Sequence, residues 1–135
     1  LCQHLMLASL ELVRRMAAGR KEDLVTREDS TFGRVARYID RHYAEDLSIE
    51  QLARQFYLSP YHLSHIFRQK TGYSLKQYVL RRRIGEAQMR LVNAQDSVQT
   101  ISEAVGFADA SYFSRIFSKY VGLTPTEYRK FRIGP

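Results

Sequence analysis

The chain repeats itself. SPYHLSHIFRQKTGYSLKQYVLR, starting at Ser59, aligns with DASYFSRIFSKYVGLTPTEYRKF, starting at Asp109. At a shift of 50 residues Ser64 meets Ser114, Ile66 meets Ile116, Phe67 meets Phe117, Gly72 meets Gly122, Tyr78 meets Tyr128 and Arg82 meets Arg132. Upstream, SIEQLARQFYL resembles VQTISEAVGFA with a one-residue offset. Each copy therefore reads as helix, tight turn, helix, glycine stop and the start of a further helix. Two helix-turn-helix units in tandem leave little room for any fold but an all-α one.

Local signals place the helices. In the second copy Asp109 is the N-cap, and Tyr112, Phe113, Ile116, Phe117 and Tyr120 recur at helical spacing as one apolar stripe. Gly122 stops that helix. Thr124, Pro125 and Glu127 restart one, as cap, first residue and capping-box partner. In the first copy Ser48 with Gln51 caps the first helix, which buries Leu52, Ala53 and Phe56. Ser59 and Pro60 open the second, with Leu63, Ile66 and Phe67 inward and Gly72 as stop. Ser74 with Gln77 opens the longest helix, from Leu75 to about Asn93. At 1.5 Å per residue it spans roughly 27 Å. Asp96 with Gln99 is read as the cap of the next helix, whose buried side is Val98, Ile101 and Val105. Gly106 permits the turn and Phe107 plugs the core. Gly85 costs the long helix about 1 kcal/mol relative to alanine, which implies either a softer rod or close packing there.

Ahead of the repeat, Phe32, Val35, Ile39 and Tyr43 form a further stripe, capped by Ser30 or Thr31. Residues 1–18 read as an amphipathic helix with Leu1, Leu5, Ala8, Leu12 and Met16 on one side. Residues 19–30 are charged and read as a linker. An apolar stripe at the very first residue, without an initiator methionine, implies that 1–30 is the end of a sensor or dimerisation domain, with homodimerisation through 1–18 or that domain. The second domain is then 31–135, with helix-turn-helix units at about 48–72 and 97–122 and the linker helix at about 75–93.

Charge is distributed unevenly. Residues 1–30 carry five Lys/Arg against five Asp/Glu, whereas residues 31–135 carry sixteen against nine, so the whole formal excess of +7 lies in the repeat region. A basic excess on one domain is the footprint of a polyanion partner. The single cysteine excludes an internal disulfide framework and fits a reducing, cytoplasmic setting. No apolar run is long enough for a membrane span, and no signal peptide is evident. Nothing points to an enzyme: there is no glycine-rich phosphate loop, no paired carboxylates and no Ser-His-Asp set. His62 and His65, three apart without a cysteine or carboxylate neighbour, make a poor metal pair, and no cofactor is implied.

Away from its stripe, the second helix of the later copy carries Ser111, Ser114, Arg115, Ser118 and Lys119. Small polar residues around one arginine suit a DNA major groove. The combined elements YIDRHYAEDLSIEQLA, LSPYHLSHIFRQKTGYSLKQYVLRRRIGEAQ and ISEAVGFADASYFSRIFSKYVGLTPTEYR resemble the DNA-binding domain of the AraC/XylS family of bacterial transcription regulators, over roughly residues 32–132. Gly85 and Ser102 depart from that pattern, which more often has a larger residue and an alanine there.

The resemblance implies a sequence-specific DNA-binding regulator, an activator by expectation, with double-stranded DNA as partner and RNA polymerase alongside it. It assigns base contacts to Tyr61, Ser64 and His65 in the first unit and to Ser111, Ser114 and Arg115 in the second. His65 stands where many members carry arginine. Arg68, Lys70, Arg81, Arg82 and Lys119 are the candidate phosphate contacts. The alternative is a protein-interaction module without sequence-specific DNA binding; the polar outer faces of both second helices speak against a peptide groove.

Overall fold

The computed structural model describes residues 29–133. The expected helix at 1–18 and most of the linker lie outside them. The described residues form seven helices and no strand: α1 over residues 29–42, α2 Ile49–Gln55, α3 Pro60–Thr71, α4 Leu75–Asn93, α5 Val98–Ala104, α6 Ala110–Val121 and α7 Pro125–Ile133. Residues 29 and 30 are already helical, so neither Ser30 nor Thr31 is the cap of α1.

The caps explain the boundaries. Ser48, Ser59 and Ser74 each accept from the backbone N–H three residues on, at 3.0–3.2 Å. The reciprocal half of a capping box forms at Ser74–Gln77 and at Thr124–Glu127. The cap of α5 is Ser97, not Asp96. Its hydroxyl takes the Thr100 N–H at 3.1 Å and donates to the Thr100 hydroxyl. Gly72 and Gly122 end α3 and α6 in the left-handed region, at φ 78° and 91°, as a helix stop of this kind requires.

That corrected cap locates the irregularity of the repeat. Ser48 and Ser97 are 49 apart, as are the left-handed residues Tyr57 (φ 58°) and Gly106 (φ 103°). The next caps, Ser59 and Asp109, are 50 apart. The extra residue therefore lies between Phe107 and Asp109, in the turn, where it disturbs neither helix.

There are two cores, and α4 serves both. The first gathers Val35 and Ile39 of α1, Leu52 and Ala53 of α2, Leu63 and Phe67 of α3, and Leu75 and Val79 from the start of α4. The second gathers Ile84, Ala87 and Leu91 from the rest of α4 with Ile101, Val105, Phe107, Phe113 and Phe117. The duplication extends to ring geometry. Phe67 meets Tyr78 at 5.2 Å and Phe117 meets Tyr128 at 5.5 Å, both edge-on at 72°. Ser102 is fully buried but satisfied, donating to the Gln99 carbonyl at 2.8 Å. Gly85 neither breaks α4 nor packs closely: nothing lies within 4 Å of where its Cβ would be.

Candidate nucleic-acid interface

Helices α3 and α6 present matching faces. Counted from their N-caps, Tyr61 and Ser111 are the second helical residue, Ser64 and Ser114 the fifth, and His65 and Arg115 the sixth. Residues spaced i, i+3, i+4, i+7 and i+8 share one face. On α3 these are Tyr61, Ser64, His65, Arg68 and Gln69; on α6 they are Ser111, Ser114, Arg115, Ser118 and Lys119. Opposite them, Leu63, Ile66 and Phe67, and Phe113 and Phe117, are buried. The apolar face thus dictates the outward one.

The first four of each outward set are exposed or half-buried, and Tyr61 is 82% exposed. Tyr61 lies nearly parallel to His65, with centroids 6.4 Å apart and planes 9° from parallel. The Arg115 guanidinium sits 5.6 Å from the Tyr112 ring centroid. At the sixth helical position each unit therefore sets a polar side chain beside an aromatic ring, an imidazole beside Tyr61 in the first and a guanidinium beside Tyr112 in the second. Ser64 of α3 and Tyr112 of α6 line a single open cleft of about 570 Å³, which also touches Arg83. Both second helices border one shared space.

The candidate phosphate contacts fall into two groups. Arg68 and Lys119 are exposed and have no carboxylate partner among the described residues, and neither has Arg115. The remaining three have intrachain partners. Lys70 pairs with Asp29. Arg81 lies between two rings, 4.1 Å from the centroid of Tyr73 and 4.8 Å from that of Tyr120. Arg82 bonds Asp40 at 3.1 Å and Glu86 at 3.3 Å and lies over Tyr43. Burial opposes the charge of Arg82, but these two carboxylates outweigh it and raise its pKa above the ordinary arginine value.

Two further arginines are structural: Arg129, and Arg83, which the sequence places in a run with Arg81 and Arg82 that could meet phosphates. Arg83 donates to three backbone carbonyls, and so does Arg129, which caps the end of α4 through Leu91, Ala94 and Asp96 at 2.7–3.3 Å. No pattern in the sequence separates Arg83 from its two neighbours. Among the described residues no group of three His, Cys, Asp or Glu side chains gathers as a metal site would need, and no helix is long and apolar enough to cross a membrane.

A helix-turn-helix domain family matches residues 52–130, more than half of the chain. Solved structures match the same arrangement, among them the C-terminal domain of AraT, a response regulator from Geobacillus stearothermophilus. It is 30% identical with a TM-score of 0.74, over 78% of this chain and 88% of that one. The chain belongs to the AraC/XylS family. The DNA-binding domain of AdpA, solved in complex with a target DNA, is similar at 26% identity and TM-score 0.70, over 73% of this chain and 89% of that one. Among curated relatives, the arabinose operon regulatory protein of Salmonella typhimurium is 38% identical over 119 residues, 87% of this chain and 42% of its own length. The HTH-type transcriptional regulator YijO of Escherichia coli is 33% identical over 126 residues, 93% of this chain and 44% of its own. The chain thus spans less than half the length of these AraC/XylS relatives.

Proposed function

We propose that this chain is the DNA-reading part of a transcription regulator, an activator by family expectation, which lays α3 and α6 into two successive major-groove segments of one duplex. The observation that carries the reading is the pair of matching polar faces on α3 and α6, built at the same positions from their N-caps, on a domain that holds the chain's whole basic excess. Phosphate contacts supply most of the affinity and base contacts most of the choice. The base readers are Tyr61, Ser64 and His65 on α3 and Ser111, Ser114 and Arg115 on α6. Arg115 is the strongest, because a guanidinium pairs bidentately with guanine O6 and N7. His65 is shorter than an arginine and lacks its bidentate fork, so the first unit leans on Tyr61 against a thymine methyl and reads with less force. Arg68 and Lys119 are the leading phosphate contacts. Lys70, Arg81 and Arg82 contribute only by exchanging their intrachain partners.

Selection from random duplexes supplies the recognition sequence, and two variants test the assignment. Arg115→Ala is expected to lose about 1–3 kcal/mol of discrimination at one base pair with little change in salt slope. Arg68→Ala is expected to weaken every duplex alike and reduce that slope by about one. Uniform weakening by Arg115→Ala would remove it from the base readers, and selection that enriches no sequence would return the chain to the protein-interaction alternative. RNA polymerase contact and homodimerisation through 1–18 or a preceding domain belong to the same proposal. Sedimentation of the chain with and without 1–18 tests the latter.

A further inference from the structure

A rod holds two bodies at a distance but does not by itself stop each from turning about it. The two cores sit on separate halves of α4, Leu75 and Val79 in one and Ile84, Ala87 and Leu91 in the other. What ties them crosswise is concentrated around Arg83. Its Nε donates to the Tyr43 carbonyl at 2.6 Å and its Nη2 to the Glu45 carbonyl at 2.7 Å, both in the connection from α1 to α2. Its Nη1 donates to the Gly106 carbonyl at 3.0 Å, in the turn of the second unit. The guanidinium also lies 5.7 Å from the centroid of Phe107, which is packed on Phe113 in the second core.

The same two segments touch directly. A Cβ on Gly106 would stand 2.6 Å from the Ala44 carbonyl oxygen and 2.8 Å from its Cα. The stretch 43–45 is therefore held between Arg83 and the second turn. Burial lowers the pKa of Arg83, with Asp46 and Tyr112 pulling the other way. Arginine nonetheless keeps its charge in proteins, so the three carbonyl dipoles replace its lost water. A planar fork of donors can serve three carbonyls at once; a lysine ammonium, a point charge on a flexible stem, does this poorly. Two residues earlier, Arg81 adds a looser tie between Tyr73, just past the end of α3, and Tyr120, near the end of α6.

We infer that Arg83 is a positioning residue that fixes the angle between the two helix-turn-helix units, and so sets which spacing of two DNA boxes the protein accepts. This rests on the DNA-reading function proposed above. One base pair added between the boxes turns the second by about 34° and moves it about 3.4 Å. Units locked together cannot follow that; units free to turn about α4 can.

The test uses the 135-residue chain and fluorescein-labelled duplexes carrying the boxes recovered by selection, with zero, one or two base pairs inserted between them. The native chain is expected to lose about 30-fold in affinity on insertion, the worth of base contacts made by one unit. Arg83→Gln and Arg83→Lys are expected to flatten that dependence to within about threefold, and to bind a single-box duplex within about twofold of the native chain. The free proteins are compared through spin labels at Gln69→Cys and Lys119→Cys in a Cys2→Ser background. The distance distribution should be narrow with Arg83 and broad in both variants. An unchanged spacing profile together with an unchanged distance distribution overturns the inference. So does a fall in affinity by one common factor at every spacing, which is what general destabilisation would give. Should the native chain fail to distinguish duplex sequences, the DNA-reading function falls, while the spin-label distances still judge the positioning role.

Discussion

Gly106→Ala is the sharpest perturbation this fold offers, because two independent obstacles meet at one atom. The backbone there has φ 103°, a region costly for any residue with a Cβ, at about 1–3 kcal/mol. The added methyl would also overlap the Ala44 main chain at 2.6–3.0 Å, and main chain cannot swing aside as a side-chain tip would. Forced overpacking of that kind costs a further 1–3 kcal/mol or so. The combined expectation is about 2–6 kcal/mol, a large part of the roughly 5–15 kcal/mol that stabilises an ordinary domain. For a domain near 100 residues it would lower Tm by more than about 10 °C. Urea titration followed by far-ultraviolet circular dichroism, with the slope m compared to confirm two-state behaviour, measures it. Tyr57 is the control. It occupies the matching turn of the first unit at φ 58° with its ring 96% exposed, so Tyr57→Gly removes strain without removing packing and should be neutral or mildly stabilising. A loss below about 1 kcal/mol for Gly106→Ala would refute the argument that the two units meet backbone to backbone at this turn.

Gly85→Ala should do the opposite of Gly106→Ala, raising stability by about 1 kcal/mol in the same titration, since its Cβ enters open space in mid-helix. Arg129→Met leaves the carbonyls of Leu91, Ala94 and Asp96 without their donor, and should cost about 2–3 kcal/mol while leaving helix content unchanged. Glu127 has its pKa lowered by hydrogen bonds from the backbone and hydroxyl of Thr124. A depressed carboxyl contributes stability that is present above its unfolded value and lost as pH falls through its folded one. A carbon-detected titration should therefore place Glu127 below the ordinary 4.5, and Glu127→Gln should make stability less sensitive to acid in that window.

Most of the helices were legible because their signals are local. A serine, threonine or aspartate cap, a proline at the first position and a glycine stop each act within four residues, and one or more of them sets the start of α2, α3, α4, α6 and α7 where the sequence places it. Besides the cap of α1, expected at Ser30 or Thr31, one cap is misplaced: Asp96 for Ser97, where two adjacent residues are both good caps with a polar residue three on. Which one wins depends on where the chain arrives from α4, and Arg129 holds the Asp96 carbonyl. The outward faces of α3 and α6 were legible as well, since the buried aromatic stripe leaves only one side for the polar residues.

The arginine run at 81–83 was not legible. Three adjacent residues on a helix point about 100° apart, so they meet three different surroundings: two tyrosine rings, two carboxylates and three carbonyls. Apart from Glu86 and Tyr73, the partners lie 23 to 42 positions away in the chain.

By itself, then, the order of residues determined the helices, the duplication and the faces turned outward, because these follow from periodicity and from bonds closed within a turn. How the two copies are fastened together was decided only by tertiary structure. The fastening is a guanidinium on carbonyls some 40 and 23 positions distant and a glycine pressed on another segment's main chain, and backbone groups carry no mark in the sequence.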